Sequence, residues 1–369
     1  MNRYDFNAVV LDTYRHLDQY VNNFKKIESV KSDLLWGNQQ KIENPWLSVI
    51  IPTYNRTGLL KEAIDSVLSQ KSVDFMWEVI VIDNTPLDED GSTPALRIIE
   101  KQNDSRILYF HNEENIGSGY NWNRGVEKAR GTWVSFLHDD DILYPDALRN
   151  IRRILMQRKN SSKPVGYLQA RVDEFTDGEK AIRKPCNQRK YILELTRLGT
   201  LITYYTRTGT PTCGTTILKQ AFLNCGGINY DFGPTADAVL GYQIMRDYTV
   251  IMSDCTFGGY RWGANESLRI ETAKKLIYAD HLLAEYCYKL TVFSKIWGSV
   301  FEKAQLDMNL RVKMRSLEKN GIYVDKKELM DPTFSYKTLF FCDKIYWICS
   351  RSYRVFCCIK AIVKGFFCR

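Results

Sequence analysis

LSVIIPTYN, residues Leu47 to Asn55, is a short apolar run that stops abruptly in a polar loop, and EVIVIDN, Glu78 to Asn84, repeats that form further on. Between them Leu59, Leu60, Ala63, Ile64, Val67 and Leu68 recur with helical spacing. An uninterrupted run of β-branched residues, too short for a buried helix, reads as a strand covered on both faces of a parallel sheet. The same beat continues outward. A helix is expected near Thr93 to Lys101, a strand at Arg106 to Phe110, a helix over about Gly119 to Ala129 and a strand at Thr132 to Leu137. Strand–helix alternation of this kind predicts right-handed crossovers and an α/β, doubly wound, mostly parallel sheet flanked by helices.

In such sheets ligands bind beyond the carboxyl ends of the strands, so the loops that follow the strands form one surface. Here those loops are Thr53-Tyr54-Asn55, Asp83-Asn84, Asn112 to Gly117, and His138 to Asp141. Tyr54 offers a face on which a base can stack, or simple packing. Asp83 can accept from a base N–H or a ribose hydroxyl, or cap a turn. Asn115 and Gly117 suit a tight turn that lets backbone approach a ligand closely.

Asp139, Asp140 and Asp141 are adjacent and directly follow an apolar strand. Three neighbouring carboxylates repel one another, and a hard divalent cation is the natural offset. Mg²⁺ and Mn²⁺ take oxygen ligands and share them with substrate phosphates. The bland alternative is a solvated acidic turn that starts a helix at Pro145 and Asp146. The position at a strand's carboxyl end favours the metal.

Four segments then carry a family resemblance: LSVIIPTYN, EVIVIDN, NIGSGYNWNRGVEKARG (Asn115 to Gly131) and FLHDDDILYP (Phe136 to Pro145). In order and spacing they resemble the family 2 glycosyltransferases with the GT-A fold, over residues 47–150 and more weakly to about 268. The resemblance implies an inverting sugar transferase with a nucleotide-diphosphate sugar donor, often UDP-linked, and Mn²⁺ or Mg²⁺ as cofactor. Pro52, Thr53, Tyr54 and Asp83 match positions that hold the nucleoside. Asn55, Asn84, Asn115, Gly117 and Asn123 are assigned with them to the donor site. The aspartate run matches the Asp-x-Asp signature, with Asp140 as principal metal ligand, Asp139 as ribose or metal contact and Asp141 as a third ligand. His138 replaces the first Asp of the fuller pattern. An inverting transfer needs a base for the acceptor hydroxyl. Gly226-Gly227 precedes Asp231 and Asp237, and Asp237, at the start of a helix, resembles the second acidic residue of the Glu-Asp pair that supplies the family's base, with Ala236 in place of the first and Asp231 as the alternative. Arg261, in Tyr260-Arg261-Trp262, stands where a basic residue can close over the diphosphate, or is a surface arginine.

The rest of the chain is less regular. Residues 1–45 read as a polar helical arm ended by Pro45, 46–268 as the catalytic domain (46–150 nucleotide half, 151–268 acceptor half), 269–334 as a helical extension and 335–369 as a tail. Within the acceptor half, strands are expected near Val165 to Phe175, Thr215 to Leu218 and Thr249 to Thr256. Helices are expected near Ala147 to Arg158, Tyr191 to Tyr204, Gln220 to Cys225 and Ala236 to Arg246. The tail carries seven Lys/Arg, one acidic residue and nine aromatics, a composition suited to lying on an anionic membrane or packing on the protein.

No apolar run reaches the roughly 18 residues of a spanning helix. Met1 to Tyr20 lacks an apolar signal core, and the ten cysteines include no metal-type pair, so reduced thiols in the cytoplasm are expected. The expected partners are a nucleotide sugar, a glycan or lipid-linked oligosaccharide acceptor and the inner face of the cell membrane, with room for a homo-oligomer. A net charge of +8 invites a nucleic-acid reading, but the basic excess sits in the tail and no binding motif is present, so no nucleic acid is expected. Gly117 and Gly119 begin a G-x-G, but Gly125 lies too far on for a dinucleotide fingerprint. A non-catalytic nucleotide-binding scaffold of the same fold stays open as the rival.

Overall fold

The computed structural model describes residues 13, 14, 16–158, 163–176, 192–195, 212–263, 268–289, 306 and 309–329. Residues 1–12 and all of the tail at 335–369 therefore lie outside the described residues. A single sheet runs through the molecule. Its strands are β1 (Ser32–Trp36), β2 (Leu47–Thr53), β3 (Trp77–Asp83), β4 (Ile107–Asn112), β5 (Trp133–Phe136), β6 (Ile142–Leu143), β7 (Val165–Thr176), β8 (Ile192–Leu195), β9 (Thr216–Leu218) and β10 (Thr249–Trp262). Their spatial order is β1-β4-β3-β2-β5-β9-β7-β10-β6, with β8 also on β10.

The four strands expected from the opening segments, β4-β3-β2-β5, are parallel neighbours. Beyond them the sheet is mixed: β1, β9, β6 and β8 pair antiparallel, while β7 and β10 run parallel to each other. Helices α1 (Gly58–Leu68), α2 (Pro94–Gln102), α3 (Gly117–Lys128) and α4 (Ala147–Gln157) fall where the periodicity placed them.

Side chains on a strand alternate between faces, and β3 shows the consequence. Ile80 and Ile82 enter one apolar core with Trp122 and Val126 of α3. Val79 and Val81 enter the other, with Leu60, Ile64 and Val67 of α1 and Ile99 of α2. Every residue of β3 is buried, so a two-sided core explains the uninterrupted apolar run. The first core also receives α5 (Lys219–Asn224) and α6 (Ala236–Ile244) through Ala221, Phe222, Ala236, Val239 and Leu240. A smaller cluster joins α7 (Ile270–Lys289) to the helical residues 309–319 through Ala273, Ile277, Leu310 and Leu317.

Two expectations are corrected. The helix expected at Tyr191 to Tyr204 begins instead with β8, whose Ile192 to Leu195 pair with Ser253 to Val250 of β10; Tyr191 and residues 196–204 lie outside the described residues. Alternating Ile-Leu-Glu-Leu fits an edge strand as readily as a helical turn. The N-terminal arm is not wholly helical. Its residues 32–36 form β1, paired with β4 at the edge of the catalytic sheet.

Candidate active site

β2 is the switch point of the parallel region: β3 and β4 lie to one side of it and β5 to the other. The crevice at the carboxyl ends of β2 and β5 is therefore the place where a doubly wound sheet holds its ligand. The structure closes this crevice with side chains from both strands. Thr53, at the end of β2, donates its hydroxyl proton to Asp139 Oδ2 at 2.7 Å. Asn84 N donates to Thr53 O at 3.2 Å, which draws in the loop after β3.

The aspartate run turns at once after β5, with Asp141 N donating to His138 O at 3.2 Å. Asp139 and Asp140 line the rim, with side chains 14% and 11% exposed. Arg56, in the loop after β2, faces both: Nε is 3.9 Å from Asp139 Oδ1 and Nη2 is 3.6 Å from Asp140 Oδ2. At these separations one guanidinium is shared loosely by two carboxylates. Burial, and the neighbouring Asp140 charge, push Asp139 up to about 6. The cluster thus holds more negative charge than its own surroundings offset.

Asp141 departs from the expectation of a third metal ligand. Its carboxylate turns inward, where Oδ1 accepts from Arg261 N at 2.9 Å and Oδ2 is buried without a hydrogen-bond partner. Burial and the adjacent Asp140 hold its carboxyl well above the usual range. Among the described residues no three His, Cys, Asp or Glu side chains converge on a point that could hold a metal. An ion here would take Asp140 and Asp139 from the protein and its other oxygens from phosphate and water, the usual sharing for Mg²⁺ and Mn²⁺.

Other assignments shift as well. Arg261 is buried: its ring contact is Phe175 at 4.6 Å, Nε donates to Asp140 O at 2.8 Å, and Nη2 meets Glu62 Oε2 at 2.5 Å. It fixes the acidic turn onto β10 rather than closing over a ligand. Among the described residues Arg56 is a cation that faces Asp139 and Asp140 at the rim, and no pattern in the sequence singled it out. Asp83 is fully buried, its oxygens accepting from Thr85 N at 2.7 Å and Tyr109 OH at 2.8 Å. Thr85 Oγ1 in turn accepts from Asn55 N at 2.8 Å, and Asn55 has a φ of 53°. Asp83 therefore shapes the loop after β2 from beneath it, through Thr85 and Asn55.

Asn84 Oδ1 accepts from Asn112 Nδ2 at 2.7 Å, which joins the ends of β3 and β4. Tyr54 is 47% exposed beside Pro52 at the rim, as a stacking platform requires. Asn115 Oδ1 accepts from Gly117 N at 2.9 Å, and Gly117 (φ 83°) has open space where a Cβ would point.

Asn123 is corrected outright. It is buried in α3 and clamps Ile228, donating to its O at 2.9 Å and accepting from its N at 2.8 Å. A Cβ on Gly227 would lie 2.8 Å from Asn123 Oδ1, so the glycine pair lets the loop approach this clamp. Asn123→Ala leaves two buried backbone groups unpaired. It is expected to lower stability by about 2–4 kcal/mol, read as a fall in melting temperature with the fold retained.

Asp237 opens α6, is half-buried, and accepts from Ala238 N at 2.8 Å. Burial raises its carboxyl above the ordinary value. Tyr167 of β7 and Tyr230 lie close enough to feel its charge, as does Asp280 of α7. Tyr230 packs onto α3, where a Cβ on Gly119 would strike its ring at 1.7 Å. Phe136 N donates to Thr215 O at 2.9 Å just before the acidic turn. Asp231, the alternative to Asp237, is 47% exposed and ion-paired with Lys26 at 2.7 Å.

Comparison with known proteins agrees with this arrangement. Residues 48–212 match the model for glycosyl transferase family 2. A GalNAc(5)-diNAcBac-PP-undecaprenol β-1,3-glucosyltransferase of Campylobacter jejuni is 41% identical over 117 residues, 31% of this chain and 35% of that protein. A putative teichuronic acid biosynthesis glycosyltransferase, TuaG, of Bacillus subtilis is 34% identical over 123 residues, 33% of this chain and 47% of that one. The chain thus spans about a third to a half of the length of these curated relatives. A mannosyltransferase of Pyrobaculum calidifontis, solved with GDP-Man and Mn²⁺, superposes with a TM-score of 0.50 over 95% of each chain at 16% identity, a likeness of fold. The parallel strands with the acids at their carboxyl ends fall in the part of this chain, residues 48–212, that is similar to glycosyl transferase family 2.

Proposed function

We propose that the chain is an inverting glycosyltransferase that moves a sugar from a nucleotide-diphosphate donor, with UDP as the first nucleotide to test, onto a hydroxyl of a lipid-linked glycan during bacterial surface polysaccharide synthesis. The observation that carries this reading is the pairing of two acidic sites of different character. Asp139 and Asp140 crowd negative charge at the switch point. Asp237 is a separate half-buried carboxylate at a helix start, with a raised pKa. The names of the Campylobacter and Bacillus relatives support the acceptor class.

In this reading Tyr54 stacks on the base, the open backbone at Gly117 receives the donor, and Arg56 pairs with the diphosphate, for which a guanidinium is well shaped. Mn²⁺ or Mg²⁺ fits at Asp140 and Asp139; when bound it neutralises charge on the departing diphosphate. Asp237 takes the acceptor hydroxyl proton as that oxygen attacks the anomeric carbon from the face opposite the leaving group. The new glycosidic C–O bond forms as the bond to the diphosphate breaks.

The test is a panel of nucleotide sugars with Mn²⁺ and an undecaprenyl-diphosphate-linked glycan, read as nucleotide release. Release from one donor that depends on the acceptor is the expected result. No nucleotide binding and no release from any donor would remove the reading.

No helix among the described residues is long and apolar enough to cross a membrane. We assign the protein to the cytoplasmic face of the cell membrane, held by the basic, aromatic tail. Truncation after Pro332 is expected to move most of the protein from the membrane fraction to the soluble one. An unchanged distribution would contradict that assignment.

A further inference from the structure

We propose that the segment upstream of the family domain holds the catalytic base in place, with Tyr14 as its positioning residue. The inference rests on the base role given to Asp237. The family match begins at residue 48, yet residues 14–30 meet the Asp237 loop or its supports at several points. Tyr14 is 3% exposed, and its ring packs edge-on against Phe232, with centroids 5.0 Å apart. Its hydroxyl meets both Phe232 O, at 3.3 Å, and Thr235 Oγ1. Thr235 Oγ1 itself lies 3.2 Å from Phe232 O. Three oxygens and two hydroxyl protons thus form a closed triangle. Whichever hydroxyl donates to the carbonyl, the other donates to its neighbour.

The triangle spans the bend that delivers Asp237. Gly233, between Phe232 and Thr235, has a φ of 62°, and Pro234 follows it. Thr235 immediately precedes α6 but makes no side-chain cap to it, because its hydroxyl is engaged in the triangle. The angle at which α6 leaves the loop, and with it the Asp237 backbone, is therefore set through Tyr14 rather than by a local cap. Neighbouring ties run the same way. Gln243 Nε2 of α6 donates to Leu17 O at 3.0 Å, Asn23 N donates to Gly226 O at 2.9 Å, and Lys26 pairs with Asp231. Arg124 of α3 holds Ile27 O and Val30 O, both at 2.6 Å. Leu17 is fully buried in the same core as Phe232, Ala236 and Leu240.

Tyr14→Phe keeps the ring and removes the hydroxyl. In the full-length protein it is expected to lower kcat about tenfold, as small misplacements of a base do, with the donor Kd within about twofold of wild type. Among the described residues, the ionisable groups near enough to feel the Asp237 charge are Tyr167 of β7, Tyr230 of the loop and Asp280 of α7, the last also near Lys313. None of these is altered by the substitution. A looser α6 start lets water reach Asp237, so the acid limb of kcat should move to lower pH. Amide hydrogen exchange over residues 236–240 should quicken. Thr235→Val, which removes the second hydroxyl, should reproduce these effects, and the double variant should add little to either single one.

A purely structural tyrosine would lower the melting temperature and leave kcat, the acid limb and exchange at 236–240 unchanged; that outcome overturns the proposal. If Asp237→Asn transfers at the wild-type rate, the base assignment fails instead. Exchange at 236–240 then still decides whether Tyr14 holds the start of α6.

Discussion

Asp237→Asn is expected to reduce kcat about 10²–10⁴-fold, the range typical of losing a general base, while nucleotide-sugar binding stays within about twofold. The amide preserves the volume and the hydrogen bond from Ala238 N but cannot take the acceptor proton. The wild-type rate should also carry a signature in pH. Burial raises the Asp237 carboxyl above its ordinary value, and a base works only when ionised. Transfer must therefore fall as the pH drops through that raised value, so the acid limb lies above the ~3.9 of an exposed aspartate. Steady-state kinetics across pH, with donor affinity measured by calorimetry, separate the two effects. An Asn variant with weakened donor binding and an unchanged turnover would move Asp237 from the chemistry to the donor pocket.

Asp140→Asn is expected to remove the gain in donor affinity that Mn²⁺ provides and to lower kcat/KM by about a hundredfold or more, since a metal on a leaving diphosphate supplies several kcal/mol. Burial, and after it the Asp140 charge, raise both Asp139 and Asp141. Removing that charge in the absence of metal should relieve them, so the variant is expected to melt no lower than the metal-free wild type. Donor titrations with and without Mn²⁺ check the first effect and thermal melts check the second. Equal Mn²⁺ dependence in variant and wild type would take the ion away from this residue.

The parallel half of the fold was legible because its strands are buried on both faces, so Leu47–Ile51 and Glu78–Ile82 carry a hydrophobic signal that nothing else in the chain imitates. The edge strands were not. β8 is four residues of Ile-Leu-Glu-Leu whose state is decided by pairing with β10, and β1 is fixed by an antiparallel register with β4 across a long separation in sequence. Site residues divide in a similar way. Thr53, Asp139 and Asp140 stand at strand ends, where backbone topology alone directs them into the crevice. Asp141, one residue further, leaves the turn with its carboxylate on Arg261 N, a direction that strand topology does not fix. Asn123 and Arg261 are assigned to the donor from their places in segments that resemble the family. Their side chains instead satisfy buried backbone groups, a task that leaves no separate mark in a sequence. Arg56 was missed for the converse reason: its importance lies only in what it faces.

Cocrystals of the protein with Mn²⁺ and UDP, with data collected at a wavelength where manganese scatters anomalously, test the central claim most directly. The account predicts one anomalous peak about 2.1–2.2 Å from a carboxylate oxygen of Asp140, a little beyond the Mg²⁺–oxygen distance, with diphosphate oxygens completing its shell and the base beside Tyr54. A peak elsewhere on the protein, or a diphosphate bound away from the β2–β5 crevice with Asp140 still facing Arg56 alone, would contradict it.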